Sequence, residues 1–259
     1  MTGANCLLVA LTLAAWMFGA AATPYNDAAR LYERGEYLKA AALAAKGDTA
    51  SSLALAARAS LTHAIYVSAP SQRPTEVQRG AAFASKALTL DPGHVEARLQ
   101  LVIALYQQAR AASPISAFFQ GYADEALSHL DAALRLEPEN PWAHSALGGW
   151  HFEVVRLAGR MLAKTLYGAS LTEGRTAFSK AITLKPRSVV LQYNFARALL
   201  LNDPTTNRTE AVQALEVALA AAPMNHLEKI IKARARTVLD AANTGSPKAL
   251  RQALNSDGF

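Results

Sequence analysis

From about residue 76 onward, apolar positions return every three or four residues, and the runs they form are closed four times by one phrase. The copies are Ala87-Leu-Thr-Leu-Asp-Pro92, Ala133-Leu-Arg-Leu-Glu-Pro138, Ala181-Ile-Thr-Leu-Lys-Pro186 and Ala218-Leu-Ala-Ala-Ala-Pro223. A three-to-four period places apolar side chains on one stripe of a helix, and proline, lacking an amide hydrogen, ends it. The prolines are 46, 48 and 37 residues apart, so the pattern is an internal repeat of helices. Within each unit a small, a bulky and a small residue precede the proline at fixed spacing: Gly80, Ala84, Ala87; Ala126, Leu130, Ala133; Gly174, Phe178, Ala181; Ala211, Leu215, Ala218. Small residues two turns apart let antiparallel helices approach, and the bulky one fills the gap between them. Ala84 is the undersized member, with Phe83 beside it.

This spacing resembles the second helix of the tetratricopeptide repeat, whose unit of about 34 residues is lengthened here by loops or longer helices. First helices carry a large-small pair at Leu101-Val102, Leu147-Gly148 and Phe195-Ala196. Upstream, Ala28-x-x-Leu31-Tyr-Glu-Arg-Gly-Glu-Tyr37-Leu-Lys-Ala40 reads as helix, tight turn at Gly35, helix. The next pair is expected over Ser51–Val67 and Glu76–Leu90, with the polar, proline-punctuated stretch 68–74 between them. The predicted fold is all-α: a tetratricopeptide-like α-solenoid of antiparallel helix pairs in a right-handed superhelix. Pairs are expected at about 23–47, 50–91, 95–137, 141–185 and 188–222, with capping helices over 225–255. In the last of these, Leu227, Ile230, Ile231, Val238 and Leu239 share one face and Lys229, Lys232 and Arg236 another. The basic face is one an anionic membrane could touch, but Glu228 and Asp240 interrupt it, which favours a solvated cap. Ser246-Pro247 has the form of an N-cap followed by proline at the first helical position.

Two stretches depart from a plain repeat. Ser113–Gly121 inserts Ile115, Phe118 and Phe119 where a polar turn would serve, either as a satellite of the core or as a lid over a groove. The second is an extended helix from Pro141 to about Gly168, followed by a capping box at Ser170-x-x-Glu173. Across it, Leu147-Gly-x-Trp150-x-x-x-Val154-x-x-Leu157, Ala163-x-Thr165-Leu166-x-Gly168 and Phe178-x-Lys180-Ala181-x-x-Leu184-x-Pro186 resemble the tetratricopeptide domain of the regulator of microtubule dynamics family. That resemblance implies a non-enzymatic binding module, and a lipid as one ligand class, since a phospholipid-binding domain is known among its members. It does not imply microtubules.

In a solenoid of this kind the concave wall comes from the second, fifth, ninth and twelfth places of the first helices. Those read Glu96, Leu99, Ile103, Tyr106; Trp142, Ser145, Gly149, Phe152; and Val190, Tyr193, Arg197, Leu200. The wall is largely apolar and aromatic, and lacks the lysines with which a carboxylate clamp holds a peptide end. The candidate ligand-binding residues are therefore Leu99, Ile103, Tyr106, Trp142, Phe152, Arg156, Tyr193 and Arg197, with the arginines ready for an anionic group at a rim. Such a wall suits a protein or peptide partner, or alternatively an acyl chain or phospholipid, unless it is filled as core.

Composition narrows the remaining options. Of 259 residues, 56 are alanine and 51% are hydrophobic, against 14 Gly and 11 Pro, which favours closely packed helices over sandwiches or barrels. The net charge of +6 is scattered without a basic run, so nucleic acid is not an expected partner. Cys6, the single cysteine, excludes a disulfide framework, and the six histidines fall in no metal spacing. No phosphate loop, nucleophile elbow or cofactor motif is present, so no enzyme is predicted. The uncharged run Cys6–Ala22, ending in three alanines, reads as a signal peptide over 1–22 and places the protein in the periplasm or outside the cell. An uncleaved membrane anchor is the alternative, since 17 residues are at the short end of a span. Asn207-Arg-Thr209 formally fits a glycosylation acceptor.

Overall fold

Helices stop at Leu90, Leu136 and Leu184, two residues ahead of Pro92, Pro138 and Pro186, in the computed structural model, which describes residues 24–112 and 120–255. The leader 1–22 and the loop residues Ile115, Phe118 and Phe119 lie outside the described residues. Those described form twelve α-helices and no strand. In pairs they are α1 (Pro24–Glu33) with α2 (Tyr37–Ala44), α3 (Ala50–Tyr66) with α4 (Arg73–Leu90), and α5 (Val95–Ala111) with α6 (Tyr122–Leu136). Next come α7 (Pro141–Tyr167) with α8 (Leu171–Leu184), α9 (Val189–Asn202) with α10 (Arg208–Ala220), and the terminal α11 (His226–Asn243) with α12 (Pro247–Asn255).

The repeat's small residues act as their spacing requires. Gly80, Ala84, Ala87 and the three corresponding sets are buried at the helix contacts. An added Cβ on Gly80 would stand 2.6 Å from Leu61, and one on Gly174 would stand 2.7 Å from Phe152. Caps set the starting points. Asn140 accepts from the amides of Trp142 and Ala143, Ser170 from Glu173, Asn225 from Glu228 and Ser246 from Ala249, satisfying first-turn donors that the helix itself leaves orphaned. The histidine at position 94 is also a cap, its Nδ1 accepting from Ala97 N at 3.2 Å.

Two differences from the sequence-based expectation have a physical cause. Helix α4 begins at Arg73 rather than Glu76, because Pro74 falls in the first turn, where its missing amide costs nothing. The long helix α7 is broken at Gly159, with φ 78° and ψ 158°, a conformation open only to glycine.

Odd-numbered helices stack in succession, α1 on α3, α3 on α5, α5 on α7, α7 on α9 and α9 on α11. The row then closes on itself, because α11 also packs against α1. Ile230 joins the cluster of Ala28, Tyr32 and Tyr37, the Tyr37 hydroxyl lies 3.4 Å from His226 Nδ1, and the Arg234 guanidinium sits 4.6 Å from the centre of the Tyr66 ring. The solenoid is thereby bent into a ring whose two ends touch.

Candidate functional site: a central cavity

The ring surrounds a cavity of about 1480 Å³, walled mainly by the odd-numbered helices. Leu99, Ile103 and Tyr106 face it from α5, Trp142, Phe152 and Arg156 from α7, and Arg197 from α9. Tyr193 does not. It is fully buried in the cluster formed with α10 and α11, so on α9 the cavity face turns by one residue and presents Val190, Asn194, Ala198 and Leu201. The physical reason is α11, which packs over α9 and claims the stripe that an uncapped repeat would leave to the concave side. Leu200 is lost to the core in the same way.

Each remaining residue has a definite setting. Phe152 is mostly core, packed edge-on to Phe178 at 5.9 Å, and shows only its border to the cavity. Trp142, at the start of α7, carries the Lys185 ammonium 4.9 Å from its ring centre. Arg110 Nη1 donates to the Tyr106 hydroxyl at 3.4 Å. Arg156 grips Glu153 with two bonds of 2.8 and 2.5 Å, and Arg58 pairs with Glu96 at 3.1 Å. Glu228 is buried at the cavity border, where it accepts the Met224 amide at 2.7 Å and caps α11. Burial pushes the Tyr32 phenol pKa up, so that side chain presents a neutral hydroxyl to the wall. The charges lining the cavity thus largely answer one another, whereas Arg110 and Lys185 rest against aromatic rings.

Sequence patterning misses the contribution of α3, where Leu61, Thr62 and Ile65 form part of the wall, and that of Tyr32 on α1 and Leu227 on α11. The same three-and-four spacing is present there, but α3 is buried around most of its circumference, Ser52, Ser60 and Thr62 included, and no face stands out. Gly149 lies on the wall with no heavy atom within 4 Å of an added Cβ, so the cavity reaches the helix backbone at that point. Among the described residues no group of three or more His, Cys, Asp or Glu could hold a metal ion, and no helix is long and apolar enough to cross a membrane.

A row of helix pairs stacked through small residues, with first helices turned inward, defines a tetratricopeptide-type α-solenoid. The solved structure of a thermophilic TPR protein from Thermus thermophilus is similar in fold, with a TM-score of 0.59 at 20% identity, covering 82% of this chain and 97% of that one. The chain belongs to the regulator of microtubule dynamics family, whose model for proteins 1-3 matches residues 25–243. It is also similar to regulator of microtubule dynamics protein 3 of Bos taurus, 36% identical over 64 residues. That match spans 22% of this chain and 14% of the bovine protein.

Proposed function

We propose that the central cavity holds the apolar part of an amphipathic ligand, a phospholipid or other acyl-chain compound, and that the protein acts by binding rather than catalysis. The observation that carries this reading is the size and lining of the cavity. Small-molecule pockets run to about 300–1,000 Å³, and this one, at about 1480 Å³, is larger and walled chiefly by leucine, isoleucine, valine and aromatic side chains. Acyl chains gain about 25 cal/mol per Å² of apolar surface removed from water, and they ask for no hydrogen bonds in return. The wall supports that economy, because Arg156 is hydrogen-bonded twice to Glu153 and Arg58 is ion-paired with Glu96. Arg110 and Lys185 are the cations best placed for an anionic headgroup.

A partner helix is the second reading. Solenoids of this class are scaffolds for protein partners, and a helix about 11 Å across would occupy such a volume with about three turns. The ring closure favours lipid, since a joined wall leaves a peptide no open end by which to lie along the concave side. The uncharged leader, taken as a signal peptide, goes with a carrier that works in the periplasm or outside the cell.

The test is extraction. Protein purified without detergent should release acyl lipids into organic solvent, identified by mass spectrometry, and should bind a fluorescent fatty acid that those lipids displace. Protein that yields no lipid and binds no fluorescent probe, yet captures an amphipathic helical peptide, would replace the first reading by the second.

A further inference from the structure

We infer that the broken second half of α7 is a docking lip that seats the cavity mouth on an anionic lipid bilayer. The inference deepens the lipid reading above and rests on it for its purpose, though not for its observations. The break at Gly159 frees the last two turns of α7 from the line of the preceding turns, and Ala163, fully buried, pins them back to the core. Around that anchor the large apolar side chains face outward: Met161 is 81% exposed, Leu166 56%, Leu162 54% and Leu157, just ahead of the break, 46%. Leu157, Leu162 and Leu166 also line the cavity, so the exposed patch is the edge of the apolar interior carried out to solvent.

Charge identifies what would cover this patch. Between Glu153 and Glu173 the chain bears Arg156, Arg160 and Lys164 and no acidic residue. Arg156 is taken up by Glu153, whereas Arg160 and Lys164 are exposed on the lip itself; Asp203 is close enough to Arg160 to feel its charge, and Asp124 stands near Tyr167 at the end of the helix. Exposed leucine and methionine interleaved with basic residues match an anionic membrane interface, where apolar side chains enter the acyl boundary and the cations meet headgroups. A protein partner of the same patch would need matching carboxylates. A bilayer supplies both the negative surface and, at the mouth of an apolar cavity, the cargo.

The full chain is to be tested by co-sedimentation with vesicles of phosphatidylcholine alone and of phosphatidylcholine with phosphatidylglycerol. Binding is expected to be about tenfold or more stronger to the anionic vesicles, from the two exposed basic residues at the surface. Arg160→Gln with Lys164→Gln should erase that preference. Met161→Glu with Leu166→Glu, at exposed positions that leave the fold intact by circular dichroism, should abolish sedimentation. Wild-type protein that fails to sediment, or a Met161→Glu/Leu166→Glu variant that sediments like wild type, overturns the inference. So does light scattering that finds a dimer which this variant dissociates, since the patch then belongs to a second copy. Vesicle binding by protein that contains no extractable lipid upholds the lip and defeats the cavity reading, so the two failures are distinct.

Discussion

Gly148 and the ring of Phe178 meet so closely that a Cβ added to the glycine would stand 2.6 Å from Phe178 Cδ2. This contact is the large-small interlock between α7 and α8, and a side chain as small as alanine forces the ring or the helix to move. The next residue, Gly149, has no neighbour within 4 Å of an added Cβ and faces the cavity. Opposite effects are therefore expected from the same substitution one position apart. Gly148→Ala should cost about 1–3 kcal/mol through overpacking. Gly149→Ala should stabilise by up to about 1 kcal/mol, because it replaces glycine inside a helix without a clash. Urea unfolding reads both. Gly149→Leu, in addition, should lower extractable lipid by occupying the cavity, with stability held.

The join between the ends is the second point of leverage. Gly35 has φ 86°, and an added Cβ there would run into the His226 ring. Gly35→Ala is expected to cost about 1–3 kcal/mol from backbone strain alone, which leaves the clash and the strain mixed. Arg234→Gln tests the join without either, since it removes the cation from the Tyr66 ring on α3 and touches no turn. In that variant hydrogen exchange should quicken over residues 24–44 and remain unchanged over α7 and α8. Equal protection in both regions would mean that the ends do not depend on each other.

How far the sequence foretells this arrangement varies by element. The proline phrases and the small-bulky-small sets locate α4, α6, α8 and α10, because proline and close helix contact are local demands written into single residues. The caps at Ser170 and Ser246 are legible for the same reason. The closure of the ring is not, because Tyr37 and His226 are far apart in sequence and no local pattern at either marks the other as its neighbour. Tyr193 follows from that omission: its spacing on α9 fits a concave position, and only the packing of α11 over it makes it core. The break in α7 escapes a sequence reading because Gly159 stands in an otherwise unbroken helical pattern, where one glycine is normally tolerated. Most of the cavity wall on α5 and α7 is recoverable from repeat spacing, whereas α3 gives no clue because small and hydroxyl side chains are buried on most of its sides and leave no clear amphipathic phase.

Acid should weaken the fold through two histidines. Burial holds the His129 and His151 pKa values below the usual value of about 6.5, and Arg98 beside His129 adds to the effect. The neutral rings are used as acceptors, His129 Nδ1 from Arg98 Nη1 at 3.3 Å and His151 Nδ1 from Ser170 N at 3.4 Å. Below about pH 6.5 the unfolded chain takes up protons that the folded chain resists, so stability falls with pH until the folded values are reached. The melting temperature should accordingly be level above neutrality and decline from about pH 6.5 downward, before ordinary carboxylates titrate. His129→Gln combined with His151→Gln should flatten that decline. An unchanged slope would assign the loss to other groups.

Asn207 shows how a formal motif can be a structural joint. It is buried, its Nδ2 donates to the Leu199 carbonyl at 3.1 Å, and its Oδ1 accepts from Arg175 Nη2 at 2.7 Å. The amide thus ties the start of α10 to both α9 and α8, and its burial leaves no open path for a glycan on Nδ2. Asn207→Ala removes both bonds, while the Leu199 carbonyl keeps the Asp203 amide and Arg175 keeps Glu210, and is expected to cost about 1–2 kcal/mol. Thr209→Ala abolishes the acceptor motif at an exposed position and should change stability by less than about 0.5 kcal/mol. Thermal unfolding of the two variants distinguishes a joint from a modification site, because only a joint makes the asparagine costly and the threonine free.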